Sequence, residues 1–232
     1  TLSTAVEIRA RIDYFSGIVL QNASQYQKAI TTFRRALRLA TDNDLHDIYI
    51  IAKQNIAYTQ SIIEDFDTSL TDIKIAHDKA IELDNEFLLA SVNEAYGAIY
   101  FFMQYYEQSI DSYNKALKSY QTLGYPAHSA EAIYGLAKSY RYSGKFTLAN
   151  QYFRLYAENI GYTPSKSILF FAQYGLSMTL ADQGNCLQAL PEIEKALKLK
   201  GSQDFNAELY KQQASCLIEQ NQLILAETAL KK

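Results

Sequence analysis

Apolar residues recur along this chain with the spacing of one face of an α-helix, and short polar or glycine-bearing breaks interrupt the pattern. The clearest stretch runs from Glu131 to Ala157. Leu136, Ala137 and Tyr140 share one helical face, Gly144 ends that helix, and Phe146, Ala149 and Phe153 share one face of a second. Small residues stand where two helix axes would approach, because a larger substituent at Cβ would push the backbones apart; bulky residues fill the space beside them. The stretch therefore predicts two closely packed antiparallel helices.

The same arrangement repeats. With Ala149 as anchor, a small residue returns at Ala29, Ser69, Ser109, Ala149 and Ala189, 40 residues apart each time, and at Ala226 after a further 37. Twelve residues before each anchor stands another small residue: Gly17, Ala57, Gly97, Ala137, Ser177 and Ala214. Four residues after it stands a bulky one: Phe33, Ile73, Tyr113, Phe153, Ile193 and Leu230. Seven residues after it come Ala36, Ala76, Ala116 and Ala196, with Tyr156 as the exception. The repeats fall at approximately 5–44, 45–84, 85–124, 125–164, 165–201 and 202–232, the last incomplete.

This constellation resembles the tetratricopeptide repeat, and the resemblance covers nearly the whole chain. Two features depart from that family: the chain has no Trp, and its period is 40 residues rather than ~34. The excess, between one and two turns at ~3.6 residues per turn, predicts longer helices. The resemblance implies an all-α, right-handed superhelical solenoid of antiparallel helix pairs, here a single array over residues 1–232. It implies a non-catalytic scaffold that holds a protein or peptide in a concave groove lined by the first helix of each repeat. Long repeats of this kind also look like those of bacterial regulatory proteins. The alternative is therefore a sensory input domain of a membrane-anchored diguanylate cyclase, a histidine kinase or a repeat-containing transcription regulator.

Mapped by the family's groove positions, the ligand-facing candidates are Tyr14, Tyr58, Phe101, Tyr134, Lys138, Arg141 and Tyr174, with Ile18, Gln54, Glu94, Phe171, Met178 and Lys211 beside them. Tyrosine suits peptide recognition, since it offers a large contact area at low entropic cost and carries a polar tip. The same rings could instead pack between neighbouring helices. Lys138 and Arg141, three residues apart on one face, could receive a carboxylate or an acidic segment. Some members of the family grip the carboxylate of a chaperone tail with Lys, Asn and Arg. Here Asn55 stands near one such position, but Tyr14, Ile18, Ser91 and Ala95 occupy others, so that clamp is not expected.

Composition narrows the choices. Hydrophobic residues make up 48% of the chain against 3 Pro and 9 Gly, which predicts folding throughout. A net charge of −3 argues against nucleic-acid binding through a broad basic face. The local clusters Arg34, Arg35, Arg38 and Lys195, Lys198, Lys200 read as solvated helix faces. No run approaches the ~20 apolar residues of a membrane span. The chain starts at Thr1 and its sixth repeat stops in mid-helix, so a longer natural protein is expected, cytoplasmic or, as an ectodomain, periplasmic. His46, His77 and His128 fall in three different repeats, and no HExxH, CxxC or phosphate-cradling loop occurs, so neither catalysis nor a cofactor is expected.

Cys186 and Cys216 fall towards the same edge of a stack of antiparallel helices. A disulfide is geometrically allowed and would favour an exported location; two separate buried thiols are the expected state. Several helix entries are also legible. Thr4 with Glu7 reads as a capping box opening a helix that carries Ile8, Ile12, Phe15 and Val19; Ser24 with Gln27, Ser129, and Thr163 before Pro164 read as further caps. Pro191 is expected in about the first turn of its helix.

Overall fold

Nearly every helix of this chain hands over to the next through the same three-residue joint, and the joint sets the period. The computed structural model describes residues 2–158, 165–199 and 201–231, and within them the chain is all-α, with twelve helices and no strand. A residue in the left-handed conformation recurs every 20 positions from Ser24 through Asp44, Glu64, Asp84, Gln104 and Gly124 to Gly144, then at Gly184 and Asn221. Behind it the chain folds back in a Schellman turn: Gln25 N–H donates to Leu20 O, Asp65 N–H to Gln60 O and Lys145 N–H to Tyr140 O, each at 2.9 Å. Helices of 17 residues with joints of three account for each half of the 40-residue repeat.

These joints displace several expected caps. The first helix, α1 (Leu2–Asn22), already contains Thr4, and Glu7 accepts from Arg11 at 2.9 Å rather than turning back to the helix start. Ser24 is the left-handed residue of its joint, φ 57°, so Gln25 takes the cap position of α2 (Tyr26–Asp42). Ser129 lies inside α7 (Pro126–Tyr142), which opens at the proline, and its hydroxyl donates back to Tyr125 O at 3.0 Å. Thr163 and Pro164 fall outside the described residues. Side-chain caps form at Asn85, accepting from Leu88 N–H at 3.0 Å, at Ser165, accepting from Ile168 N–H at 3.2 Å, and at Asn185, accepting from Gln188 N–H at 3.3 Å.

The chain divides into two units, 1–124 and 125–232. The first holds α1, α2, α3 (His46–Ile62), α4 (Phe66–Glu82), α5 (Glu86–Phe102) and α6 (Tyr106–Leu123). Its core forms where the repeat pattern places it: Ala29, Phe33, Ala57, Ile73, Ala76 and Ala116 are buried completely. A Cβ added at Gly97 would stand 2.7 Å from the Tyr113 ring, so the aromatic lies directly on the backbone of the facing helix. The anchors Ser69 and Ser109 latch the same crossing, their hydroxyls donating to Ala57 O and Gly97 O at 2.7 Å. The expectation for α1 holds for its helix and needs correction for its face. Ala10, Asp13 and Gly17 are the buried side, and Ile8, Ile12, Phe15 and Val19 point to solvent.

The second unit holds α7, α8 (Phe146–Glu158), α9 (Lys166–Asp182), α10 (Cys186–Leu199), α11 (Gln203–Glu219) and α12 (Leu223–Leu230). Phe153, Ile193, Ala189 and Leu209 are at its centre. In the short α12, Ala226 and Ala229 are buried while Leu230, a core position in the repeat pattern, is 61% exposed. Pro191 is the sixth residue of α10, deeper than expected, because that helix begins at Cys186. The expectation of two free thiols is overturned: Cys186 and Cys216 form a disulfide with their Cα atoms 5.0 Å apart. The start of α10 and the far end of α11 meet because the two helices run antiparallel, the geometry that had only allowed the bond.

Three measurements by urea unfolding probe these features. Breaking the disulfide, which closes a loop of 30 residues, is expected to lower stability by about 3–4 kcal/mol. Gly144→Ala, whose added methyl meets no atom within 4 Å, should cost about 1 kcal/mol through its φ of 77° alone. Gly175→Ala, where the methyl would stand 2.1 Å from the buried Phe153 ring, should cost more, about 2–3 kcal/mol. Equal losses for the two glycines would contradict this distinction.

Candidate functional site

The helices that supply the expected ligand-facing residues are the first of each pair: α1, α3 and α5 in the first unit, α7, α9 and α11 in the second. Each successive pair within a unit is joined by a polar contact between residues 34 to 41 positions apart. Asn55 donates to Tyr14 Oη at 3.3 Å, Thr59 to Gln21 Oε1 at 3.1 Å, and Ser91 to Gln54 Oε1 at 2.9 Å. In the second unit Arg141 Nε pairs with Asp182 at 2.6 Å and the Tyr174 hydroxyl donates to Glu208. Sequence reading missed this seam. Its only trace was a polar residue facing another about one repeat away.

In the first unit the seam draws the candidates inward. Tyr14 is half-buried against Phe33, and Asn55, singled out as a clamp-like residue, is committed to Tyr14 and to Ile51 O at 2.8 Å. Tyr58 lies against Phe102, its hydroxyl pKa raised by burial and further by Tyr26 and Glu94. Phe101 packs edge-on to Phe102 and tilted on Tyr106. Glu94 accepts from the buried Tyr120 hydroxyl at 2.8 Å, which leaves that phenol well above its ordinary pKa, chiefly through burial. An open cleft of about 540 Å³ lies elsewhere in this unit, lined by His77 of α4, Tyr96 and Tyr100 of α5, and Glu107, Asp111 and Lys115 of α6. None of the expected site residues lines it. The tyrosine rings there stack at 5.8 Å, and Lys115 pairs with Asp111 at 2.6 Å.

In the second unit the candidates come together. Tyr134 is half-buried, its ring 5.0 Å from Tyr156 and 5.9 Å from Phe171. Phe171, Tyr174 and Phe205 follow across α9 and α11, with Tyr174 and Phe205 edge-to-face at 5.1 Å. Lys138 Nζ sits 5.0 Å over the Tyr134 ring. Burial lowers the Lys138 pKa and Glu131 opposes that shift, while burial raises Tyr134 to about 12, with Glu131 adding to the rise. Tyr174 is raised by burial first and by Glu208 second. The two cations expected to await a carboxylate are thus already accompanied, Arg141 by Asp182 and Lys138 by Tyr134 and Glu131. Met178 is buried in the core behind them. Among the described residues no group of three or more His, Cys, Asp or Glu could hold a metal ion, and no helix is long and apolar enough to cross a membrane.

Comparison with known proteins bears on the architecture. Residues 90–123, spanning most of α5 and α6, match the family model described as tetratricopeptide repeat. No curated protein matches the chain by sequence. Among solved structures, BtubC (BKLC) from P. vanneervenii superposes with a TM-score of 0.75 at 16% identity, covering 89% of this chain and 88% of that one. PilW, a type IV pilus biogenesis factor, gives 0.68 at 18% identity over 96% of this chain and 92% of its own. A tetratricopeptide repeat protein from Parabacteroides merdae gives 0.63 at 17% identity over 96% and 76%. At these identities the likeness is one of fold. The chain thus has an all-α helical-repeat fold like that of these structures, and its residues 90–123 match the tetratricopeptide repeat.

Proposed function

We propose that the protein is a non-catalytic scaffold that binds an extended or helical segment of a partner protein along α7, α9 and α11. The observation that carries this reading is the half-buried aromatic strip of Tyr134, Phe171, Tyr174 and Phe205, bordered by charges of both signs. Such rings desolvate readily and are already ordered by their neighbours, so little side-chain entropy is lost on binding. Because Arg141 and Lys138 are accompanied, a partner's carboxylate would have to compete with Asp182 and Glu131. The strip therefore favours an amphipathic segment led by apolar side chains over a purely acidic one. Tyr14, Tyr58 and Phe101, held by internal contacts, belong to this reading as a secondary surface of the first unit.

The disulfide supports a second element of the proposal. Such bonds persist in oxidising compartments, so the domain works outside the reducing cytosol, as the input domain of an exported bacterial signalling protein would. A thiol count on denatured protein taken from its native compartment should find no free cysteine; two free thiols would remove the exported location.

For the binding face, peptides selected from a displayed random library on the immobilised protein should lose at least about 100-fold in affinity, ~2.7 kcal/mol, when Tyr134, Arg141 and Tyr174 are all replaced by Ala. Circular dichroism should show the helices retained. Peptides that bind the triple variant as tightly as the parent would place the site elsewhere.

A further inference from the structure

The cleft of about 540 Å³ in the first unit lies at a position that the other helix pairs close. It is lined by α4, α5 and α6 alone, each with a described helix before and after it in sequence. Asn93 of α5 stands there, at a position that returns every 40 residues as Asp13, Lys53, Ile133 and Gln173. Asp13 accepts from Arg35 at 2.7 Å, Lys53 pairs with Asp72 at 2.5 Å, and Gln173 donates to Glu192. Ile133 is buried. Each of these side chains is engaged within its own helix pair or its core. Across from Asn93, the counterparts of Asp72 and Arg35 are Ser112 and Lys115. Ser112 has a shorter side chain, and Lys115 is turned to Asp111 at 2.6 Å. Asn93 and Ser112, the latter only 7% exposed, both line the cleft, and neither makes a side-chain hydrogen bond with a described residue. Buried polar groups of this kind are met by water or by a ligand.

We propose that this cleft binds the guanidinium group of an arginine, laid against Tyr96 and Tyr100 and bonded to Asn93 and the acidic side of α6. The two rings are inclined by only 19° with centroids 5.8 Å apart, and His77 packs edge-on to Tyr96 at 5.8 Å, so near-parallel faces are held in place. Burial first, then Tyr100 and Asp78, pushes the Tyr96 hydroxyl up to about 12, and the ring stays a neutral phenol. Planar cations stack on such faces. The five N–H donors of a guanidinium match the acceptors that Asn93, Gln108 and Ser112 offer. Glu107 and Asp111 outnumber Lys115 at the cleft, which disfavours an anion. The first helix pair contains the same contact within the chain, since Arg35 brings a guanidinium to Asp13, the counterpart of Asn93. The volume falls within the ~300–1,000 Å³ usual for ligand sites. This cleft shares no residue with the strip on α7, α9 and α11, so it is a second site and independent of the first.

Titration with N-acetyl-arginine methylamide, followed through the tyrosine ring signals in NMR spectra, should shift Tyr96 and Tyr100 with a Kd on the order of 1 mM. The lysine and citrulline counterparts of this probe should bind at least about 5-fold more weakly. Free arginine that binds no more tightly than the blocked probe marks a polypeptide side chain as the source; tighter binding marks the amino acid itself. Glu107→Gln with Asp111→Asn, both at exposed positions, should weaken the probe at least about 5-fold while circular dichroism is unchanged. Asn93→Lys with Ser112→Asp, which copies the closed contact of Lys53 and Asp72, should abolish binding. The triple variant at Tyr134, Arg141 and Tyr174 should bind the probe as the parent does, which separates this site from the strip. No ring shift at ~20 mM probe, well above the expected Kd, would overturn the proposal. Equal affinity for the citrulline or lysine probe would overturn it too, as would parental affinity in the carboxylate variant.

Discussion

How closely two helix axes can approach decides most of this structure. At the crossing of α5 and α6 the Tyr113 ring lies on the bare backbone of Gly97, and the Ser109 hydroxyl reaches Gly97 O from the facing helix. A methyl group at Gly97 would collide with the ring; without Ser109 the crossing would lose a buried hydrogen bond, typically ~1 kcal/mol. The other crossings vary this theme, with Ala57 and Ser69 in α3 and α4, and Gly17 and Phe33 in α1 and α2. Small residues therefore sit at fixed intervals for steric reasons, and the polar faces are free to vary around them.

That steric demand is why the architecture was legible from the residues. Anchors such as Ala29 and Ala149 must be small in any partner's presence, so their spacing survives in the sequence as a period. Helix entries were less legible. Ser24, Thr4 and Ser129 have the chemistry of caps, but the backbone is turned by a Schellman joint that needs no side-chain oxygen, and residues as unlike as Glu64, Gln104 and Gly184 perform the same role. Periodicity also found the α1 stripe without revealing that it faces solvent, because a pattern shows which face is apolar and not what covers it. The disulfide was undecidable for a similar reason: a shared edge admits a bond and does not require one.

The candidate binding face was legible only in part. The family positions on α7 and α9 do lie along one aromatic strip, yet Phe205 and Glu208 of α11, which complete it, went unnoticed because the groove positions carried to that helix gave Lys211 alone. The charge partners of Lys138 and Arg141 lie on different turns or different helices. Only the packing of α7 against α9 brings Asp182 to Arg141, and that pairing changes the chemistry offered from a receptor for anions to an apolar strip with a balanced border.

The uniform joint has a consequence for how such a chain can lengthen. One turn geometry serves both inside a repeat and between repeats, so inserting a single 20-residue helix would leave every backbone connection intact. It would nonetheless exchange the roles of all helices after it: residues shaped to lie under two neighbours would occupy outer positions, and Tyr113-like rings would meet faces lacking a small residue. Duplication by 40 residues preserves both the connections and the faces. Growth by whole pairs is thus imposed by side-chain packing, on a backbone that by itself would accept half that step.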